Sequence, residues 1–320
     1  MDRRGWDWPV RRSTRAFARE GRRTPGYRLR DFFHGYTYAR WPFLYIRSAT
    51  RPETLPRPLR LVHRWAARLF IGAGQGADPA RHFADTYHGK VVPTPAAEEL
   101  VTLNVAVEFR NLEKVIPYAL ARDIVLRGPD RIVALECPCR AARDAPCLPL
   151  DVCLIVGEPF ATFVADHHPE RARWIGQDEA VAILRAERDR GHVHHAFFKD
   201  AMLGRFYAIC NCCSCCCGAM QAWQHGTPML ASSGYVAQLD DARCQNCGAC
   251  AAECPFEAVT LEGGTPHVDG VACMGCGVCV AQCPAGAVSL VRAPEKGEPL
   301  EIRELLRSQA RSLPDQGWGR

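Results

Sequence analysis

The sequence predicts an α+β protein, with an N-terminal and central α/β cysteine-rich body followed by a small C-terminal module. Three observations predict it. Short apolar runs lead into cysteine motifs: residues 132–135 into Cys137-Pro138-Cys139-Arg140, and residues 206–209 into Cys210-Asn211-Cys212-Cys213-Ser214-Cys215-Cys216-Cys217-Gly218. Residues 178–190 read as an amphipathic helix, acids first and arginines last, with Gly191 as its C-cap. Residues 244–261 recur 29 positions later.

In chain order, residues 1–58 read as a basic, largely irregular arm, with ten arginines in the first 30 positions, scattered aromatics and prolines at 42, 52, 56 and 58. Residues 59–230 read as the α+β body. Its first stretch, 59–70, has helical periodicity through Leu61, Trp65 and Leu69, the pattern of a surface helix or of one that docks on a partner or membrane surface. Ile71-Gly72-Ala73-Gly74-Gln75-Gly76 has glycines like a dinucleotide loop, but an arginine-rich helical pattern precedes it where a strand is needed. Residues 113–126 fit a helix stopped by Gly128-Pro129. Residues 231–234 form a link, 235–292 the repeat module, and 293–320 a tail with a short helix.

The chain has 320 residues, a formal net charge of +5 and 18 cysteines. No apolar segment follows the N-terminal arginines, so the expectation is a reducing cytoplasm, where clustered thiols signal metal or redox chemistry rather than disulfides. No stretch reads as a membrane span; peripheral contact is the most the pattern allows. The module carries Asp240, Asp241, Glu253, Glu257, Glu262 and Asp269 against Arg243 and Arg292. An acidic module on a basic chain points to electrostatic docking of a redox partner protein, or of the arm on the module.

In the repeat, Cys244, Cys247, Cys250 and Cys254-Pro255 map onto Cys273, Cys276, Cys279 and Cys283-Pro284. Residues 235–292 thus resemble the bacterial two-cluster ferredoxins, whose pattern C-x2-C-x2-C-x3-C-P is complete in both halves. Three thiolates two residues apart wrap three corners of a cubane, after which the chain has turned away. The resemblance implies two [4Fe-4S] clusters with exchanged fourth ligands: Cys244, Cys247, Cys250 and Cys283 for the first, Cys273, Cys276, Cys279 and Cys254 for the second. Gly248, Gly275 and Gly277 are read as sites where the backbone approaches the sulfides. A zinc ribbon would use two C-x2-C pairs with a longer gap.

Ten cysteines remain: Cys137, Cys139, Cys147 and Cys153, then Cys210, Cys212, Cys213, Cys215, Cys216 and Cys217. The two motifs beside a two-cluster module resemble a family of multi-cysteine iron–sulfur proteins of anaerobic bacteria and archaea, over residues 90–292. That resemblance implies the architecture and carries no reaction. Three readings stay open for these thiols: a third metal or Fe–S centre, a dithiol redox pair, or packing. In an extended segment alternate thiols face opposite ways, and in a helix Cys213, Cys216 and Cys217 share a face. Cys216-Cys217-Gly218 is similar, over three residues, to heterodisulfide reductases. His192, His194, His195 and His167-His168 are weaker ligand candidates, since histidines at helix ends also serve as caps.

The functions weighed are an electron-transfer protein serving a partner oxidoreductase, a self-contained reductase working at the upstream thiols, and a cluster-based nucleic-acid regulator. The last lacks a recognition-helix pattern, and no nucleic acid is expected as partner. The crossover yields a first test. Cys254→Ala should perturb the electron paramagnetic resonance signal of the second cluster; a change confined to the first would refute the ligand exchange.

Overall fold

The structure, a computed structural model, describes residues 10–56, 58 and 78–312. Helices α1 (Arg12–Arg23), α2 (Leu29–Arg40) and α3 (Pro42–Thr50) open it. The arm expected to be largely irregular is therefore mostly helical where described. Its arginines hide a real apolar face: Phe17 is fully buried while Arg12, Arg15, Arg19, Arg22 and Arg23 stay exposed. Phe17 meets Phe32, Phe160 and Phe163 edge-on, with ring centroids 5.4, 5.7 and 5.7 Å away. Pro42, read as a breaker, occupies the first turn of α3, where its missing N–H is no loss. Where described, the arm packs on the body.

The body is one mixed sheet dressed with helices. In chain order it runs α4 (Pro79–Thr86), β1 (Tyr87–Val91), α5 (Thr94–Val101), β2 (Val107–Phe109), β3 (Ile124–Leu135), α6 (Pro138–Ala141), β4 (Cys153–Glu158), α7 (Phe160–His167) and β5 (Ala172–Ile175). Then come α8 (Gln177–Asp189), β6 (Val193–Lys199), β7 (Arg205–Cys212), α9 (Gly218–Gln224) and β8 (Leu230–Ala231). The strand order is β2-β3-β4-β7-β6-β1-β8, with β5 also on β3. The α8 helix and its positive-φ Gly191 match the sequence expectation.

The helix expected over 113–126 does not form. Pro117 cannot continue a helix, so 112–116 makes a single turn, and Ile124 already pairs with Phe109 in the sheet. Gly128-Pro129 lies inside β3, in the irregularity between Arg127 and Ile132. The expected helix over 59–70 and the glycine-rich loop over 71–76 lie outside the described residues.

The C-terminal module pairs β9 (Tyr235–Leu239) with β12 (Val288–Arg292) and β10 (Val259–Glu262) with β11 (Thr265–Val268). Short helices α10 (Ala249–Ala252) and α11 (Val278–Ala281) each start at a left-handed glycine, Gly248 and Gly277. Helix α12 (Ile302–Ser312) returns to the body, with Leu300 and Ile302 buried before and at its start.

The side of the module around Cys254, Cys273, Cys276 and Cys279 is the one that meets the body. Met274, Val278 and Phe256 join the body's apolar core, and Trp223 of α9 packs edge-on against Phe256 at 5.2 Å. Ser233 donates to the Gly275 carbonyl at 2.7 Å, and Gln282 to that of Asp189 at 3.0 Å. Gly275 and its repeat equivalent Asn246 share a positive φ, 64° and 53°. Only at Gly275 would a Cβ strike the Tyr235 carbonyl and the Ser233 hydroxyl, so close approach to the linker by itself requires a glycine here. Gly275→Ala should lower the unfolding midpoint by the equivalent of about 2–4 kcal/mol, against about 1 for Asn246→Ala. Equal effects in denaturant titrations would remove the linker argument.

Candidate metal centres

The charges that bear on Cys276 are those of Cys279, Cys254 and Cys273, so the fold brings Cys254 to the second triplet. Cys250 answers to Cys244 and Cys247. Backbone amides approach four of these sulfurs: Ala258 to Cys254 (3.3 Å), Ala287 to Cys283 (3.2 Å), Ala237 to Cys273 (3.4 Å) and Asn246 to Cys244 (3.4 Å). Around the second set lie Pro255, Ala258, Val259 and Leu290. Four thiols, amides aimed at sulfur and a dry shell fit a [4Fe-4S] cluster in chemistry. The two halves differ in exposure. Cys247 is exposed and Cys244 half-buried, whereas Cys276 packs against the body's core. Burial pushes the Cys279 thiol up to about 12.

The ten upstream cysteines divide into two sets. Along β7, Cys210 and Cys212 project from one face, and Asn211 from the other. The chain then turns, with the Cys217 amide bonded to the Cys213 carbonyl. Cys213, Cys215 and Cys216 swing toward Cys147, and these four sulfurs lie within 4.8 Å of one another. Cys147 to Cys215 is 3.1 Å and Cys215 to Cys216 is 3.6 Å. Tetrahedral thiolates on one zinc ion sit about 3.8 Å apart, so the set is compact enough for a single thiophilic ion. The segment is neither all strand nor all helix, so Cys217 parts from Cys213 and Cys216.

The second set comprises six thiols. Cys153 touches Cys137 and Cys210, Cys139 touches Cys137 and Cys217, and Cys217 donates to Cys212 at 3.2 Å. Cross-strand pairing places it: Cys153 precedes Leu154, which sits opposite Ile209, and Cys210 faces His195. These thiols wall a cavity of about 490 Å³, otherwise lined mainly by aromatic and aliphatic groups of α2, α3, α4 and the sheet.

Arg140, 1% exposed, joins the segments that carry the cysteines. It donates to the Pro149 carbonyl (2.6 Å), the Asn211 carbonyl (3.1 Å) and Glu187 (2.5 Å). Glu187 also contacts His192 at 2.7 Å. Burial would raise the Glu187 carboxyl, but hydrogen bonds from His192 and Arg140 hold it below its usual 4.5. Arg143 anchors the turn through the Cys216 carbonyl (3.1 Å).

The two sets differ electrostatically. The hydrogen bond with Cys139, and then burial, push Cys137 up to about 12. Cys212 also reaches about 12: the bond from Cys217 lowers it, but burial together with the charges of Cys210, Cys137 and Cys139 raises it further. Cys216 alone falls below the ordinary cysteine value: burial opposes this, but the Cys147 amide and the thiols of Cys215, Cys213 and Cys147 stabilise its thiolate.

The histidines go elsewhere. His194 bonds Asn211 (2.6 Å) and Thr94 (3.1 Å), His167 bonds Thr14 (3.2 Å), and His168 bonds the Ala39 carbonyl (2.8 Å). His195 is fully buried beside Cys210, and neither ring nitrogen has a hydrogen-bond partner. Sequence reasoning missed Arg140, Glu187 and the buried Lys199 on the cavity wall, although a lysine ending the apolar run 193–199 is a signal.

Residues 237–284 match the family of the 4Fe-4S dicluster domain. No curated protein matches the chain. The protein is therefore α+β with a C-terminal 4Fe-4S dicluster domain, a fold of iron–sulfur electron transfer. Among the described residues, no helix is long and apolar enough to cross a membrane.

Arg140→Met removes the buried partner of Glu187, leaving it Arg190 at 3.0 Å and His192 at 2.7 Å, and should cost about 2–3 kcal/mol, and adding Glu187→Leu should restore part of it. Because the folded carboxyl is depressed, its contribution is full above pH 4.5 and disappears as pH falls through the folded value. Urea titrations of wild type and Glu187→Gln should therefore converge in acid. A gap unchanged down to pH 2 would contradict the ionised pair.

Proposed function

We propose that this chain is an iron–sulfur electron-transfer protein, relaying low-potential electrons through two [4Fe-4S] clusters to or from a partner oxidoreductase. The observation that carries this reading is the unequal setting of two equivalent cysteine sets. Cys247 and Cys244 give the first half an exposed face, with Asp240 and Asp241 nearby in sequence to attract a cationic partner. Cys276 and Phe256, one from each repeat, press the second cysteine set against the body. Trp223, in contact with Phe256, lies on α9, which begins directly after Cys217 and spans about 10 Å. The order of residues thus runs from a partner-facing surface to the thiol-rich interior.

A third centre belongs to the reading, held by Cys147, Cys213, Cys215 and Cys216. The lowered Cys216 thiol supports it, because a metal ligand must be deprotonated. A second reading, a self-contained reductase, is favoured by the cavity behind the six-thiol wall, since a relay alone needs no internal space for a small molecule. The high pKa values of Cys137 and Cys212 weigh against a free-thiol redox pair there.

Metal and acid-labile sulfide should be counted on the full chain purified without oxygen. The module accounts for about eight irons. Metal beyond that should vanish in Cys147→Ser/Cys216→Ser while the eight irons remain. Eight irons with no further metal in the native chain would remove the third centre, and a module that loads no iron would remove the relay.

A further inference from the structure

The cavity contains a cation that feels the charge of the adjacent Asp200 but, among the described residues, forms no salt bridge. Lys199 ends β6, is 2% exposed and lines the 490 Å³ space. Its ammonium is surrounded by rings, 4.6 Å from the centroid of Tyr87, 5.2 Å from Tyr38 and 6.0 Å from Tyr45. Among the described residues, no carboxylate lies within ion-pair distance of it. The neighbouring Asp200 turns an oxygen to the Ala201 amide at 2.5 Å. Burial lowers the lysine only to about 8, so it carries its charge at neutral pH. Cation–π contacts compensate part of the desolvation of a buried ammonium, and an anion would supply the rest.

Most other polar groups on the wall are already engaged. Thr37, Ser48 and Thr50 give their hydrogens to the carbonyls of Phe33, Tyr45 and Ile46. Tyr38 bonds Tyr207 at 2.7 Å, and Arg140 gives its terminal nitrogens to Glu187 and two carbonyls, while its buried Nε has no partner. What remains is apolar surface from Trp41, Leu44, Leu55, Phe83, Phe197 and Met229, facing the wall of thiols. The volume falls within the range of small-molecule sites, and such sites combine an apolar lining with few polar groups.

We propose that the cavity binds a small monoanion with an apolar body, such as a carboxylic acid, its charged head on Lys199 and its body between the aromatic wall and the six thiols. The site goes beyond the relay. It also holds without any reductase chemistry, because binding transfers no electrons.

The test is isothermal titration of the iron-loaded full chain with octanoate and with 1-octanol, which share length and differ in charge. Octanoate should bind about tenfold or more tightly than octanol. Lys199→Met should abolish that preference and Lys199→Arg should retain it, with iron content and circular dichroism confirming the fold. The comparison on the native protein needs no variant. Equal affinity for the two ligands, no binding of either at millimolar concentration, or a preference that survives Lys199→Met would each overturn the site. Octanoate that binds through Lys199 without reoxidising the reduced protein would leave the site standing and count against the reductase reading alone.

Discussion

The Arg140 guanidinium is the contact on which the cysteine-rich body depends. The sheet delivers thiols from β4 and β7, but adjacent strands alone would leave the Cys147 loop and the Cys137-Pro138-Cys139 turn unattached. Arg140 sits in that turn and bonds the carbonyl of Pro149 in the loop and that of Asn211 between two cysteines of β7. A planar fork with five donors can serve three acceptors at fixed angles, which a lysine ammonium on a flexible stem cannot. Glu187 makes the arrangement tolerable by neutralising a charge that no water reaches. The arginine of the C-P-C-R motif is thus a positioning residue for both thiol sets.

That clamp explains why the two sets have different electrostatics within a few ångströms of chain. The six-thiol wall is buried and surrounded by other thiols, conditions that favour the neutral form. The turn through Cys216 offers an amide and three sulfhydryl donors to one sulfur, conditions that favour the anion. Without metal, the wall would be a poor nucleophile. A bound cation would invert that order, since a coordinating thiol is deprotonated outright.

Legibility in the sequence followed the range of the interactions. The 4Fe-4S dicluster domain was readable because its cysteine pattern is local: two-residue spacings and a following proline specify loop and short helix together. Helix α8 was readable because its polarity, charge order and stop residue agree. The arm was misread because arginines outnumber the apolar residues of α1, although Phe17 alone meets three aromatic rings. The 113–126 segment was misread because Pro117 was given less weight than periodicity. The division of ten cysteines into four and six was not readable at all. It depends on where a turn at Cys213 points and on Cys147, 66 residues upstream, and no local pattern encodes either.

The repeat shows how sequence equivalence and functional equivalence part. Asn246 and Gly275 adopt the same left-handed conformation, and Ala258 and Ala287 aim equivalent amides at Cys254 and Cys283. The linker from β8 breaks the symmetry by lying against one half only, where Ser233 and Tyr235 leave no room for a side chain at position 275. One cysteine set is thereby turned toward the body and the other toward solvent. A duplicated module bound on one side is asymmetric, with the Phe256–Trp223 contact on the side that faces the body. The asymmetry comes from packing at the linker and not from any difference between the cysteine motifs.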